Sequence, residues 1–196
     1  MPRDGAVIVT EEKSEMLDQS PADPALVLSL GYVTLAWSLV DEMLTAALFS
    51  LLSIDKFEFT ILVGKIEFPT KLAKLDQILS HRKDQPRLKF VRRLNAEMDN
   101  LRADRNALTH GVYQGKASGG ELFFAVPSDL IFDKAQDNTA YKLRAFTHQI
   151  ISDHVTKALG IGADIAKHFD VAKMAKLRVG QFKIPTHLQI DPPKSC

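Results

Sequence analysis

At 196 residues and 21.8 kDa, with 45% hydrophobic and 25% charged residues, the chain fits one well-filled hydrophobic core, and wholesale disorder and fibrous classes are excluded. Twenty-five basic and 24 acidic residues leave a formal net charge of +1, so any contact with nucleic acid rests on local clustering rather than a global field. The single cysteine, Cys196, excludes an intrachain disulfide and a zinc site built on thiolates, and suits a reducing cytoplasm.

Residues 1–24 read as an N-terminal arm, polar and closing on Ser20-Pro21-Ala22-Asp23-Pro24, with a short edge strand around Val7 to Thr10. Asp4, Glu11, Glu12 and Glu15 leave only the four-residue apolar run Ala6 to Val9, which argues against a signal peptide and for a cytoplasmic protein. Ala25 to Leu52 has the composition of one long helix, with Leu28, Leu35, Leu39, Val40, Met43, Ala47 and Leu51 at helical spacing and Trp37 read as core. Its narrow polar stripe, Ser29, Tyr32, Ser38, Asp41, Glu42 and Thr45, is expected to meet another helix or a partner subunit. Asp41 and Glu42 interrupt the apolar run short of the about 20 residues that a bilayer span needs, so no membrane crossing is expected.

Ile54 to Glu67 reads equally as a short helix or an extended connection. A second helix runs from Pro69 to about Arg82 on the stripe Leu72, Leu75, Ile78 and Leu79. A third runs from Pro86 to Thr109, with Leu88, Val91, Leu94, Met98, Leu101 and Leu108 inward and His110-Gly111 as its stop. Val112 to Val126, around the loose Gly115–Gly120 tip, reads as a β-hairpin. A last helical stretch is expected from Thr139 to about Lys176, bent or broken at Gly160 and Gly162, before an extended tail over 177–196. The organisation is thus mainly α, with one helical domain over 25–176 and a small β-hairpin between the third helix and the last.

The chemistry concentrates in Arg102-Ala103-Asp104-Arg105-Asn106-Ala107-Leu108-Thr109-His110-Gly111. Arg105, Asn106 and His110 form an R-N-x-x-x-H pattern, whose chance occurrence in a chain this long is roughly one in a hundred, so the segment stands out. Arginine presents a planar, permanently charged fork matching two phosphate oxygens, and histidine exchanges a proton near neutral pH. Together they suit RNA cleavage without a metal, in which a base takes the 2′-hydroxyl proton, the freed oxygen attacks the adjacent phosphorus, and cationic donors stabilise the gathering charge.

On these residues the chain resembles the HEPN superfamily, whose ribonucleases carry the R-N-x-x-x-H motif at the end of a helix in an antiparallel helical bundle. The resemblance covers roughly residues 25–175. It implies a homodimer in which two motifs face each other across one composite cleft, with Arg105 and His110 catalytic and Asn106 supporting. It further implies a metal-independent endoribonuclease that needs no cofactor, acting as a toxin or phage-defence effector, with RNA as partner and a neutralising antitoxin as a second. Residues five apart on an ideal helix point about 140 degrees away from each other, a spacing that a two-copy cleft resolves, while Asn106 and His110 share a face. Asp41 and Glu42 match by type an acidic position that holds the motif arginine in many members, and Asp104 and Thr109 are further supporting candidates.

The basic stretch Arg87, Lys89, Arg92 and Arg93, with Arg102, is a candidate guide for an RNA backbone, and an ordinary solvated helix face is its structural alternative. Arg105 pairing with Asp104, Asp41 or Glu42, and His110 merely capping its helix, is the alternative for the motif. His148, His154 and His168 lack a carboxylate or cysteine set that would complete a metal site, and read as solvent-facing. No phosphate-binding glycine loop is present, which disfavours nucleotide hydrolysis. The rival function is a non-catalytic helical dimerisation or RNA/nucleotide-binding module; an adaptor without a nucleic-acid role is a third.

Overall fold

The structure, a computed structural model, describes residues 6–8, 17–18, 20–63, 66–133 and 138–171. The 177–196 tail and the expected helix end at Lys176 lie outside the described residues. In chain order the elements are β1 (Ala6–Ile8), α1 (Pro24–Leu52), α2 (Lys56–Val63), α3 (Phe68–His81), α4 (Gln85–His110), β2 (Val112–Lys116), β3 (Leu122–Asp133), β4 (Asn138–Phe146) and α5 (His148–His168). The described chain is mainly helical, with one small antiparallel sheet in the order β1-β4-β3-β2.

Local chemistry fixes where the helices start. Asp23 Oδ1 accepts the Leu26 N–H at 2.7 Å ahead of α1, and Pro24 occupies a first-turn position that needs no donor. Asp55 Oδ1 accepts from Phe57 and Glu58 at 2.7 and 2.9 Å, which starts α2 and settles the open segment as a helix. Pro69 and Pro86 sit in the first turns of α3 and α4. Thr147 Oγ1 accepts the Ile150 N–H at 3.2 Å and opens α5.

Two expectations are corrected by the chain after Pro127. Thr139 does not begin a helix: residues 138–146 form β4, whose Leu143 and Phe146 are buried and whose backbone pairs with β3 on one side and β1 on the other. Ala, Lys, Leu and Arg in that segment favour a helix locally, and pairing on both edges overrides the preference. The hairpin therefore grows into a sheet, with β3 shifting register between Ala125 and Leu130 around Pro127, which has no N–H for the ladder. The edge strand expected near Val7 is present as β1. Neither Gly160 nor Gly162 breaks α5, which runs unbroken over 21 residues. A Cβ at Gly160 meets nothing within 4 Å, and one at Gly162 meets only Leu39 and Val40 at 3.9 Å.

The inward face of α1 agrees with expectation at Val40, Met43, Ala47 and Leu51 and differs from it nearer the helix start. Leu26, Val33, Ala36, Trp37, Val40, Met43, Leu44, Ala47 and Leu48 are buried, while Leu28 and Leu35 are exposed. A helix apolar on nearly every side carries little directional signal, so periodicity misplaces Leu28 and Leu35. By length and composition α1 is also able to cross a membrane, since the helix continues through Asp41 and Glu42; 44% of its most apolar window is buried within the protein. On α4 the amphipathic signal is cleaner, and Leu88, Val91, Leu94, Met98, Leu101 and Leu108 are all buried.

The chain divides into two compact units, one of residues 1–37 with 96–157 and one of 38–95 with 158–196. The first holds the sheet and a core of Leu26, Val33, Leu122, Phe124 and Ile151. The second packs Val40, Leu44, Leu48, Leu75, Leu79, Val91 and Ile165, and buries Lys71, whose Nζ donates to both Asp41 oxygens at 2.7 Å. Burying an ammonium is costly unless it is paired, and the bidentate contact supplies the pair.

Because α5 is continuous and open at Gly160, Gly160→Ala is expected to stabilise the protein by about 0.5–1 kcal/mol through lost unfolded-state freedom. Urea unfolding measures it; a lower midpoint would show that the helix bends at this glycine after all.

Candidate functional site

The R-N-x-x-x-H residues occupy the last turns of α4 in the first unit, and the helix stops where the sequence places its stop. Gly111 N–H donates to the Ala107 carbonyl at 2.9 Å, and a Cβ at Gly111 would lie 2.3 Å from that same oxygen, so the exit requires glycine. Thr109 Oγ1 donates back to the Arg105 carbonyl at 2.8 Å, tying the motif's last turn together. His110, the final residue of α4, is exposed.

Arg105 is half-buried and is held in an unexpected way. Its guanidinium carbon lies 5.8 Å from the centre of the Trp37 ring, and its Nη1 donates to Asn106 Oδ1 at 3.3 Å. Its Nε is shut away from solvent and has no hydrogen-bond partner among the described residues. A cation over an indole face gains about 0.5–2 kcal/mol, yet the face leaves the in-plane N–H donors unspent, whereas a bidentate carboxylate would occupy two of them. An unmade hydrogen bond on a buried donor costs about 1–3 kcal/mol.

Trp37 is itself fixed from behind. Its Nε1–H donates to His154 Nε2 at 2.8 Å, with the two ring centres 5.7 Å apart. An indole nitrogen can only donate, so His154 Nε2 must be the unprotonated nitrogen, and His154 is the neutral tautomer with its proton on Nδ1. Burial agrees: His154 is 4% exposed, and desolvation, with Lys157 one turn along α5 adding to it, holds its pKa down at about 4. The expectation that His154 faces solvent is thus overturned, because the indole requires a buried acceptor there.

The supporting acids are placed elsewhere. Asp41, expected to hold Arg105, lies in the second unit with both oxygens on Lys71. Asp104 takes Arg144 of β4 at 3.5 Å; burial raises its pKa, with Arg144 and Lys157 pulling the other way. Glu42 is exposed. Asp41 and Asp104 are thus engaged by Lys71 and Arg144.

The basic stretch is in the second unit, and much of it is already engaged. Arg87 donates through Nε to the His168 carbonyl at 2.9 Å and pairs with Asp84 at 3.3 Å. Arg92 pairs with Asp76 at 2.8 Å, and Arg93 sits 5.6 Å from the Phe90 ring centre. Lys89 and Arg102 are exposed, and only Arg102 shares the motif's unit. Arg87, Lys89, Arg92 and Arg93 precede Arg105 by three turns or more along α4.

Trp37, Arg144, His154 and Lys157 escape a reading by motif. The usable signal was chemical: a tryptophan inside an apolar helix must find an acceptor for its N–H, and neutral histidines are among the few side chains able to serve. No family model, curated protein or solved structure matches the chain.

His154 gives the site a pH signature. Its folded pKa of about 4 lies below the ordinary 6.5, so the unfolded chain binds the proton more readily, and the stability present above pH 6.5 is lost as pH falls toward 4. Between about pH 7 and 4.5 this one group should remove roughly 2–3 kcal/mol. Thermal or urea unfolding of the parent and of His154→Gln over that range checks it: the variant should lose distinctly less, and parallel curves would exclude His154 as the source.

Proposed function

We propose that the chain is a HEPN-like endoribonuclease that cleaves RNA without a metal at a site built by two copies. The observation that carries the reading is Arg105: a motif arginine in the last turns of a helix, held on an indole face with a buried N–H unsatisfied, in the same α4 terminus as the exposed His110. A purely structural arginine would be expected to spend its donors on a carboxylate or on carbonyls, as Arg144 and Arg87 do.

In this reading Arg105 receives the scissile phosphate on its free in-plane donors. One His110 takes the proton from the 2′-hydroxyl, the 2′-oxygen attacks phosphorus, and the bond from phosphorus to the 5′-oxygen breaks. The second copy's His110 gives that leaving oxygen its proton, so the products are a 2′,3′-cyclic phosphate and a 5′-hydroxyl. Asn106, four residues before His110 and bonded to Arg105, keeps the guanidinium in register with the histidine's face. The same open guanidinium also serves a non-catalytic phosphate-binding module, which shares the binding step and lacks the proton transfers.

Incubation of the purified protein with labelled single-stranded RNA and tRNA in EDTA separates the two. Cleavage leaving 2′,3′-cyclic phosphate ends is expected of the parent, with a loss of at least about a hundredfold in His110→Ala, the scale of general acid–base catalysis. RNA binding without cleavage moves the assignment to the binding module; neither binding nor cleavage rejects both. A composite site also predicts a dimer at micromolar concentration in sedimentation, and a monomer that still cleaves would remove the two-copy arrangement.

A further inference from the structure

The proposed reaction assigns work to Arg105, Asn106 and His110, and leaves unexplained why a buried histidine should stand behind the tryptophan under Arg105. His154 comes from α5, 117 residues away in sequence from Trp37 on α1, and Arg105 from α4. Three helix segments of the first unit thus bring imidazole, indole and guanidinium together in sequence, the two rings tilted by 38°. Each member restricts the next. The imidazole restrains the indole through one 2.8 Å hydrogen bond, and the indole ring, with its centre 5.8 Å from the guanidinium carbon, supports the arginine.

We infer that His154 and Trp37 are positioning residues for Arg105, holding its guanidinium against the indole so that its Nη donors, rather than the buried Nε, are presented to a phosphate of bound RNA. The inference rests on the reading of Arg105 as a phosphate ligand. Holding an arginine by its face differs in consequence from holding it by a carboxylate. A carboxylate would fix the side chain and neutralise it, competing with the substrate for the same donors. An aromatic face fixes it and leaves both charge and donors available. The unsatisfied Arg105 Nε is the mark of that choice, since a side chain free to swing would turn this donor toward water or a carbonyl.

The test compares His154→Leu, which removes the acceptor at similar volume, with His154→Gln, which restores one. Two readouts are taken. In uniformly nitrogen-labelled protein, the Nε–H resonance of Arg105, identified by its loss in Arg105→Lys, should lie upfield because of the indole ring current. Affinity is measured separately with a fluorescent 2′-O-methyl RNA oligonucleotide, which lacks the attacking hydroxyl and so reports binding alone. The expected result is that His154→Leu returns the Arg105 resonance to the ordinary arginine range and weakens the oligonucleotide at least fivefold, while His154→Gln keeps both near the parent.

A folded His154→Leu protein with the Arg105 resonance and affinity unchanged overturns the inference, and so does loss of both in His154→Gln. Should His154→Leu fail to fold, Trp37→Phe against Trp37→Leu makes the same comparison: phenylalanine keeps a face and needs no acceptor, so only leucine should release Arg105, and equal behaviour of the two overturns the role. If the parent binds no oligonucleotide while the resonance moves as expected, the RNA reading fails and the positioning role stands.

Discussion

The indole nitrogen of Trp37 can donate a hydrogen bond and cannot accept one, and it is buried. That constraint organises the candidate site. It demands an acceptor inside the first unit, which His154 supplies at 2.8 Å only while its Nε2 carries no proton. The demand fixes the tautomer of one residue, the plane of a second and, through the indole face, the placement of Arg105. A core of leucine and valine alone would bury as much apolar surface, but it would leave the arginine nothing directional to lie against.

The distribution of charge complements this arrangement. Asp41 is committed to Lys71, Asp76 to Arg92, Asp84 to Arg87 and Asp104 to Arg144, each pair satisfying its own cation. Arg105 is set apart from this pattern by aromatic support. With a net charge of only +1, the chain has little long-range pull on a polyanion, so recognition would depend on a few well-placed donors. The neutral, buried His154 fits the same logic, since an imidazolium at that position would both break the indole hydrogen bond and repel the guanidinium.

Much of the helical framework is legible in the residues. Pro69, Pro86 and the clean amphipathic pattern of α4 place two helix starts and a core face, while Asp23 and Asp55 emerge as caps only from the N–H groups whose hydrogen bonds they accept. Where the signal is weak the reading goes astray for a physical reason. The first helix is apolar all round, so its buried face is set by its neighbours rather than by its own period. Residues 138–146 have helical composition and become a strand because both their edges are paired, a long-range fact that no local window contains.

For the site, the motif gives Arg105, Asn106 and His110 and the helix end that carries them. Asp41 and Asp104 are engaged by Lys71 and Arg144, and the contacts beside Arg105 come from Trp37 and His154, which are separated from each other by more than half the chain. Motifs record spacing along one element; a cluster drawn from three helices leaves no such trace.

Trp37 is the chain's one tryptophan, so its emission reports directly on the face that carries Arg105. Titrating the protein with a non-cleavable 2′-O-methyl RNA while following that emission tests whether the arginine is the phosphate ligand. The account predicts a saturable, salt-sensitive change in the parent that disappears in Arg105→Ala. An unchanged emission at concentrations where RNA is bound, or the same change in Arg105→Ala, would contradict it.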